Sequence, residues 1–247
     1  FWLAMQYGMS MLFVGGTASG KTTSLNACSL FLPWQHKIVS IEETRELNLP
    51  HPNWIPGCTR QGFGGESAGS GVKAAGEVDM YDLLRAALRE RPEYIIVGEI
   101  RGAEAYVLFQ AMATGHTTYS TFHADSIQSL VHRLENKPIE IPRVLIPALD
   151  GISIQIQTRV GGKRVRRNKG IIEIIGIDPH SHELLTNEAF RWDNTVDEFV
   201  FTGKSYIFEK IMMKANLNRV EIMDETKRRQ LVIEWCLKKG IRDYKDF

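Results

Sequence analysis

At 247 residues and 43% hydrophobic, the chain can bury one sizeable core, or one core with a small appendage. A formal net charge of +1 carries no polyanion-binding signature, so charge does not favour nucleic acid as a partner. Cys28, Cys58 and Cys236 are far apart and form no C-x-x-C pair, which argues against a zinc module or a disulfide framework and for reduced thiols in a cytosolic protein. No apolar run approaches the ~20 residues needed to cross a bilayer, and no signal peptide is evident.

The chain opens Phe1–Tyr7 without an initiator Met. This stretch reads as the end of an amphipathic helix leading into the first strand, and the whole as a C-terminal domain whose N-terminal part is missing. From residue 11 to about 135, short apolar runs alternate with helical stretches, as in parallel α/β folds. The predicted strands are Met11–Val14, Lys37–Ile41, Tyr94–Val97 and Thr117–Phe122. The predicted helices are Thr22–Leu32, Met80–Arg91, Ala103–Ala113 and Ser126–Leu134, the second ended by Pro92. Between them, Gln61–Val78 is rich in Gly and Ser without hydrophobic period and reads as a mobile loop. After Pro142 the pattern becomes a hairpin, Ile152–Val160 and Arg164–Ile177 about Gly161 and Gly162, followed by strands Glu183–Asp193 and Asp197–Thr202. Two helices close the chain, about Ser205–Ala215 and Val220–Lys239, with Asn218 and Glu221 spaced as a capping box. The stripe Leu231, Val232 and Trp235 is expected to pack inward.

Several segments carry chemistry. Gly15, Gly16, Thr17, Ala18, Ser19, Gly20, Lys21 and Thr22 fit the phosphate-loop pattern G-x-x-x-x-G-K-[ST] between a strand and a helix. Such a turn aims backbone N–H groups, and the positive end of a helix, at one point. Lys21 would reach the β- and γ-phosphates, the Thr22 hydroxyl would hold Mg²⁺, and Thr23 continues the nucleotide-binding run. The strand Tyr94–Val97 runs on through Gly98 to Glu99, a Walker B pattern. A strand beside the loop strand would bring that carboxylate to Mg²⁺ and its waters. Arg101 could anchor Glu99, face a neighbouring subunit's nucleotide, or simply lie in solvent.

Glu42 and Glu43 end the second strand, with Arg45 close behind. Strand alternation lets only one of the two acids point cleanly at the site, where it could orient and deprotonate the attacking water. His116 and His123 flank the strand Thr117–Phe122. No third His or Cys lies near them and period two puts them on opposite faces, so a sensor donating to the γ-phosphate region or to Glu99 is preferred over metal, with satisfied structural histidines as the alternative. The run Lys163–Lys169 has five basic residues in seven but no interleaved aromatics. It reads as a solvated hairpin tip or a subunit contact.

The order of phosphate loop, IEET-R acidic box, Walker B with GE-x-R, and TGH…STFHA resembles the type II/IV secretion-system ATPase superfamily, from Gly15 to Leu134. LNLPHPNW (Leu47–Trp54) and ELLTNEAFRWD (Glu183–Asp193) resemble its archaeal branch of pilus, secretion and archaellum motors. The resemblance implies an α/β fold: a RecA-like P-loop core over residues 1–140, then a β-hairpin, meander and terminal helices over 141–247 of the same domain. It implies a Mg²⁺-dependent ATPase that powers secretion or assembly of a pilus-like filament. The intact protein would be a homo-hexamer, cytoplasmic and peripheral at the inner face of the membrane, working on a membrane platform protein. Neither nucleic acid nor a metal other than Mg²⁺ is expected.

Residue by residue, the resemblance makes Glu42 and Glu99 catalytic, with Thr22 and Glu99 at Mg²⁺. It places Arg45, Arg101, His116 and His123 near the site. Glu43 stands where the family's box usually has Asp. Nucleotide in the family sits between an N-terminal and a C-terminal domain, so this chain would hold half a site. The competing readings are a nucleic-acid translocase with a similar core and a nucleotide-sensing scaffold. A small GTPase is disfavoured, because Asn136-Lys137 is not followed by the Asp that reads guanine.

Overall fold

The computed structural model describes residues 1–62 and 74–244. One nine-stranded sheet organises them. In chain order the strands are β1 (Met11–Gly15), β2 (Ile38–Glu42), β3 (Trp54–Cys58), β4 (Tyr94–Glu99), β5 (Thr117–Phe122), β6 (Gly151–Val160), β7 (Lys163–Ile177), β8 (Leu184–Asp193) and β9 (Glu198–Phe201). Across the sheet they run β3-β2-β4-β5-β1-β6-β7-β8-β9. The pairs from β3 to β6 are parallel, and those from β6 to β9 antiparallel. The sheet therefore crosses residue 140 without a break: β1 pairs with β5 on one side and β6 on the other.

β1 is buried along its whole length, and its side chains alternate between two apolar layers. Leu12 and Val14 join Ile95, Val97, Leu84, Leu108 and Ile152 on one face. Met11 and Phe13 join Leu3, Met5, Leu25, Ile38 and Ile207 on the other. The helices are α1 (Trp2–Gln6), α2 (Lys21–Ser29), α3 (Met80–Arg89), α4 (Glu104–Ala113), α5 (Ile127–Glu135), α6 (Tyr206–Ala215) and α7 (Arg219–Lys239). Among the described residues no helix is long and apolar enough to cross a membrane.

The expected elements are present within a few residues, and the Asn218–Glu221 capping box forms as read. Three expectations change. β4 is not beside the loop strand, because β5 lies between β4 and β1. β3 is an additional edge strand whose Pro56 and Gly57 hide the strand pattern; an edge tolerates a residue without an N–H. Leu231, Val232 and Trp235 do not pack inward but are 55%, 44% and 54% exposed, because α7 rests on the body mainly through Ile222. Residues 63–73 of the predicted loop lie outside the described residues. Arg60 and Val78 bracket them, exchanging two backbone hydrogen bonds of 2.9 Å.

Candidate active site

Residues 15–20 turn the chain from the C-terminal end of β1 into α2. A Cβ on Gly15 would lie 2.3 Å from the Gln155 carbonyl oxygen of β6, so only glycine lets the loop lie this close to its neighbouring strand. Gly20 caps α2 in a left-handed conformation, φ +97°, without a side-chain cap. The first N–H groups of α2 are thus left for a ligand, at the positive end of the helix. The Ser19 hydroxyl donates to the Gly16 carbonyl at 2.8 Å. The Lys21 ammonium reaches back to the same carbonyl at 2.9 Å. Burial pushes the Lys21 pKa down from its ordinary value, Glu99 pulls it up and Arg101 pushes it down, so loop and Walker B end share one electrostatic neighbourhood.

Although β5 intervenes, Glu99 stands among these groups. The register of β4 on β5 shifts between Val97 and Glu99, a bulge that re-aims the side chain beyond it. The Thr121 hydroxyl donates to the Gly98 carbonyl at 2.7 Å and fixes that bulge. Arg101 donates to Glu99 at 2.5 Å and lies 3.6 Å from Glu43. It bridges the Walker B end to the end of β2, and its pKa is raised chiefly by the hydrogen bond to Glu99.

The two acids of β2 part company as strand alternation requires. Glu42 is buried, at 2% exposure. Its Oε1 accepts the backbone N–H groups of Glu46 and Leu47 at 2.9 and 3.0 Å. Its Oε2 is buried with no partner among the described residues. A buried carboxylate oxygen left unpaired costs free energy unless a ligand or water meets it. Glu43 is exposed and faces Arg101.

The remaining candidates separate. The His123 ring nitrogen Nε2 lies 2.9 Å from the Thr17 hydroxyl in the loop, and Arg133 holds the His123 carbonyl. His116 lies before the first residue of β5, at the opposite end of the sheet. Seven residues of extended chain put it roughly 23 Å from His123. It lines a cleft with Tyr7, His36, Glu93 and Lys214 instead, so the structure does not support the sensor role expected of it. Arg45 stacks on Trp54 of β3, 4.8 Å from the ring centroid, and its tie is to that edge strand rather than to the loop. Thr22 and Thr23 occupy the first turn of α2.

One contact escapes motif reading. Arg166, on β7, donates through Nε to the Ala18 carbonyl at 2.9 Å. The basic run therefore reaches the loop itself. Its only sequence signal is the density of positive charge.

The donor set suits a Mg²⁺–nucleoside triphosphate. It offers an uncapped helix start, a lysine across the loop, a threonine hydroxyl at the second helical residue, and carboxylates at Glu99 and Glu42. Mg²⁺ keeps most of its waters and needs only one or two protein ligands beside phosphate.

Comparison with known proteins adds the lineage. A family model described as type II/IV secretion system protein matches residues 3–238. An uncharacterized protein of Methanocaldococcus jannaschii is 46% identical over 224 residues, covering 91% of this chain and 80% of that one. The type IV secretion system protein PtlH of Bordetella pertussis is 34% identical over 180 residues, covering 67% of this chain and 50% of PtlH. Among solved structures, the VirB11 ATPase from the Brucella suis type IV secretion system, in complex with sulphate, superposes with a TM-score of 0.55 at 27% identity. That superposition covers 69% of this chain and 49% of VirB11. The chain thus spans about half the length of PtlH and of VirB11.

Proposed function

This chain belongs to the type II/IV secretion system protein family, and we propose that it is an ATP-hydrolysing motor domain that powers protein secretion or the assembly of a pilus-like filament. The observation that carries the proposal is the pairing of an open phosphate loop with a buried carboxylate, Glu42, that keeps one oxygen free among the described residues. The loop N–H groups, Lys21, Thr22 and Thr23 bind the phosphates. Thr22 and Glu99 hold the Mg²⁺, which supplies charge neutralisation when bound. Glu42 holds the attacking water and takes its proton. Arg101 holds the Glu99 carboxylate in place, while Glu43 orients Arg101. His123, tied to Thr17, reports on the loop's occupancy.

The working protein in this reading is a homo-hexamer at the inner face of the cell membrane, coupled to a membrane platform protein. The translocase alternative finds no counterpart in the family match. Calorimetric titration of the chain with Mg-ATP and Mg-ADP tests the reading: binding that Lys21→Ala weakens by roughly ten- to a hundredfold supports it. Absence of binding by the unaltered chain would overturn it.

A further inference from the structure

The β6–β7 ribbon does not end where β1 ends. β6 pairs with β1 only up to Gly15↔Gln155, then continues to Val160. These five extra residues carry the ribbon about 16 Å past the start of the phosphate loop. Directly opposed residues of an antiparallel pair share a face. Gln157↔Arg166 and Arg159↔Arg164 are such pairs, and Gln155↔Asn168 stands at the root of the overhang on the same side, so that face is wholly polar or basic. It is the face that meets the loop, since Arg166 binds the Ala18 carbonyl from it. A Cβ on Gly20 would lie 3.4 Å from the Arg166 Cδ.

The three arginines of the basic run have different occupations. Arg167 is spent on Asp197, donating through Nε and Nη2 at 2.7 and 2.6 Å. Arg164 is held by Gln157 at 2.9 Å. Arg166 uses Nε alone on the loop. Its Nη groups have no protein partner among the described residues, and they are anchored beside the loop.

Sheet order decides what they would meet. Glu42 and Glu99 end β2 and β4, both on the β5 side of the loop strand, whereas the ribbon lies on its β6 side. A nucleotide whose terminal phosphate faces the acids must extend its other end toward the ribbon. We propose that Arg166 is a nucleotide-binding residue that holds a non-bridging oxygen of the α-phosphate of a nucleoside di- or triphosphate, with Ala18 fixing the guanidinium in place. This inference rests on the nucleotide reading given above and adds a charged side chain to the backbone N–H groups of the loop at the end of the ligand away from the two acids.

The test uses the 247-residue chain, ADP and the two α-thio diastereomers of ADP, which differ only in which non-bridging α-oxygen is replaced by sulfur. The unaltered chain should bind one diastereomer several-fold more tightly than the other. In Arg166→Gln that ratio should fall toward one, and ADP affinity should drop about tenfold, as for loss of a partly exposed charged hydrogen bond. A ratio of one in the unaltered chain would overturn the proposal. So would a ratio unchanged in Arg166→Gln, even if ADP affinity falls, since that result marks a residue that only pins the loop. If the unaltered chain binds ADP no better than Lys21→Ala does, the nucleotide reading itself fails, and the α-phosphate assignment falls with it.

Discussion

The parallel half of the sheet, β1 to β5, and the antiparallel ribbon, β6 to β9, are held together by different physics. In the parallel half, β1, β2, β4 and β5 are largely buried and end together, and their last residues face one edge: Gly15, Glu42, Glu99 and, one position on, His123. Chemistry there is written in short local strings, because each string is a strand end plus its turn. The ribbon is specified by cross-strand pairs distant in sequence, and by two buried or half-buried polar anchors. Glu173 accepts from the Ser205 hydroxyl, the Tyr206 and Ile207 N–H groups and the Asn187 amide, so it caps α6 from beneath. Asp197 holds Arg167 and the Trp192 indole. In the proposed function the parallel half concentrates the chemistry, while the ribbon supplies scaffold and one arginine.

The sharpest way to break that contrast is Glu173→Ala. It removes a carboxylate that is 1% exposed and strands several donors, so it should cost ~3–5 kcal/mol of unfolding free energy. Chemical denaturation measures that loss, and ADP affinity of the folded fraction should be unchanged. Lys21→Ala should do the reverse. It should weaken nucleotide binding by roughly ten- to a hundredfold, as for a lost charged hydrogen bond, and shift the denaturation midpoint of the unliganded chain little.

The two histidines sharpen the comparison within a single strand. His123→Ala should slow ATP turnover by about tenfold, on the scale of one lost polar contact to the loop. His116→Ala, at the far end of β5, should leave Mg-ADP affinity within about twofold. Equal loss of nucleotide affinity from both substitutions would mean that both ends of β5 feel the ligand.

The smallest effect lies in the ribbon. Arg167 and Trp192 hold the Asp197 pKa down to about 2. Because the folded value lies below the unfolded value of about 3.9, the stabilisation is full above that pH and fades as pH falls through about 2. The stability gap between the unaltered chain and Asp197→Asn should therefore be widest near neutrality and narrow below pH 4. A gap independent of pH would show that the pair does not contribute through the charge of Asp197.

Sequence made the parallel half legible because apolar runs of β-branched residues, such as those of β2 and β4, alternate with helical stretches, and the motifs mark the strand ends. It misplaced what depends on assembly. β5 separates β4 from β1, an insertion that its Thr- and Ser-rich string does not announce. β3 is masked by Pro56 and Gly57. His116 and His123 form one motif on paper, yet a strand of six residues holds them apart. Arg166 reads as hairpin charge because its target, Ala18, is 148 positions away. Exposure of Leu231, Val232 and Trp235 is equally invisible to helical periodicity, which gives a stripe but not what covers it.

In the proposed mechanism Glu42 activates water at a bound Mg-nucleotide. Single-turnover hydrolysis of ATP by Glu42→Gln, with Mg-ATP affinity measured on the same sample, tests it most directly. The expected outcome is affinity kept within a few-fold and a hydrolytic step slowed by ~10²–10⁴-fold. Hydrolysis at the unaltered rate would contradict it.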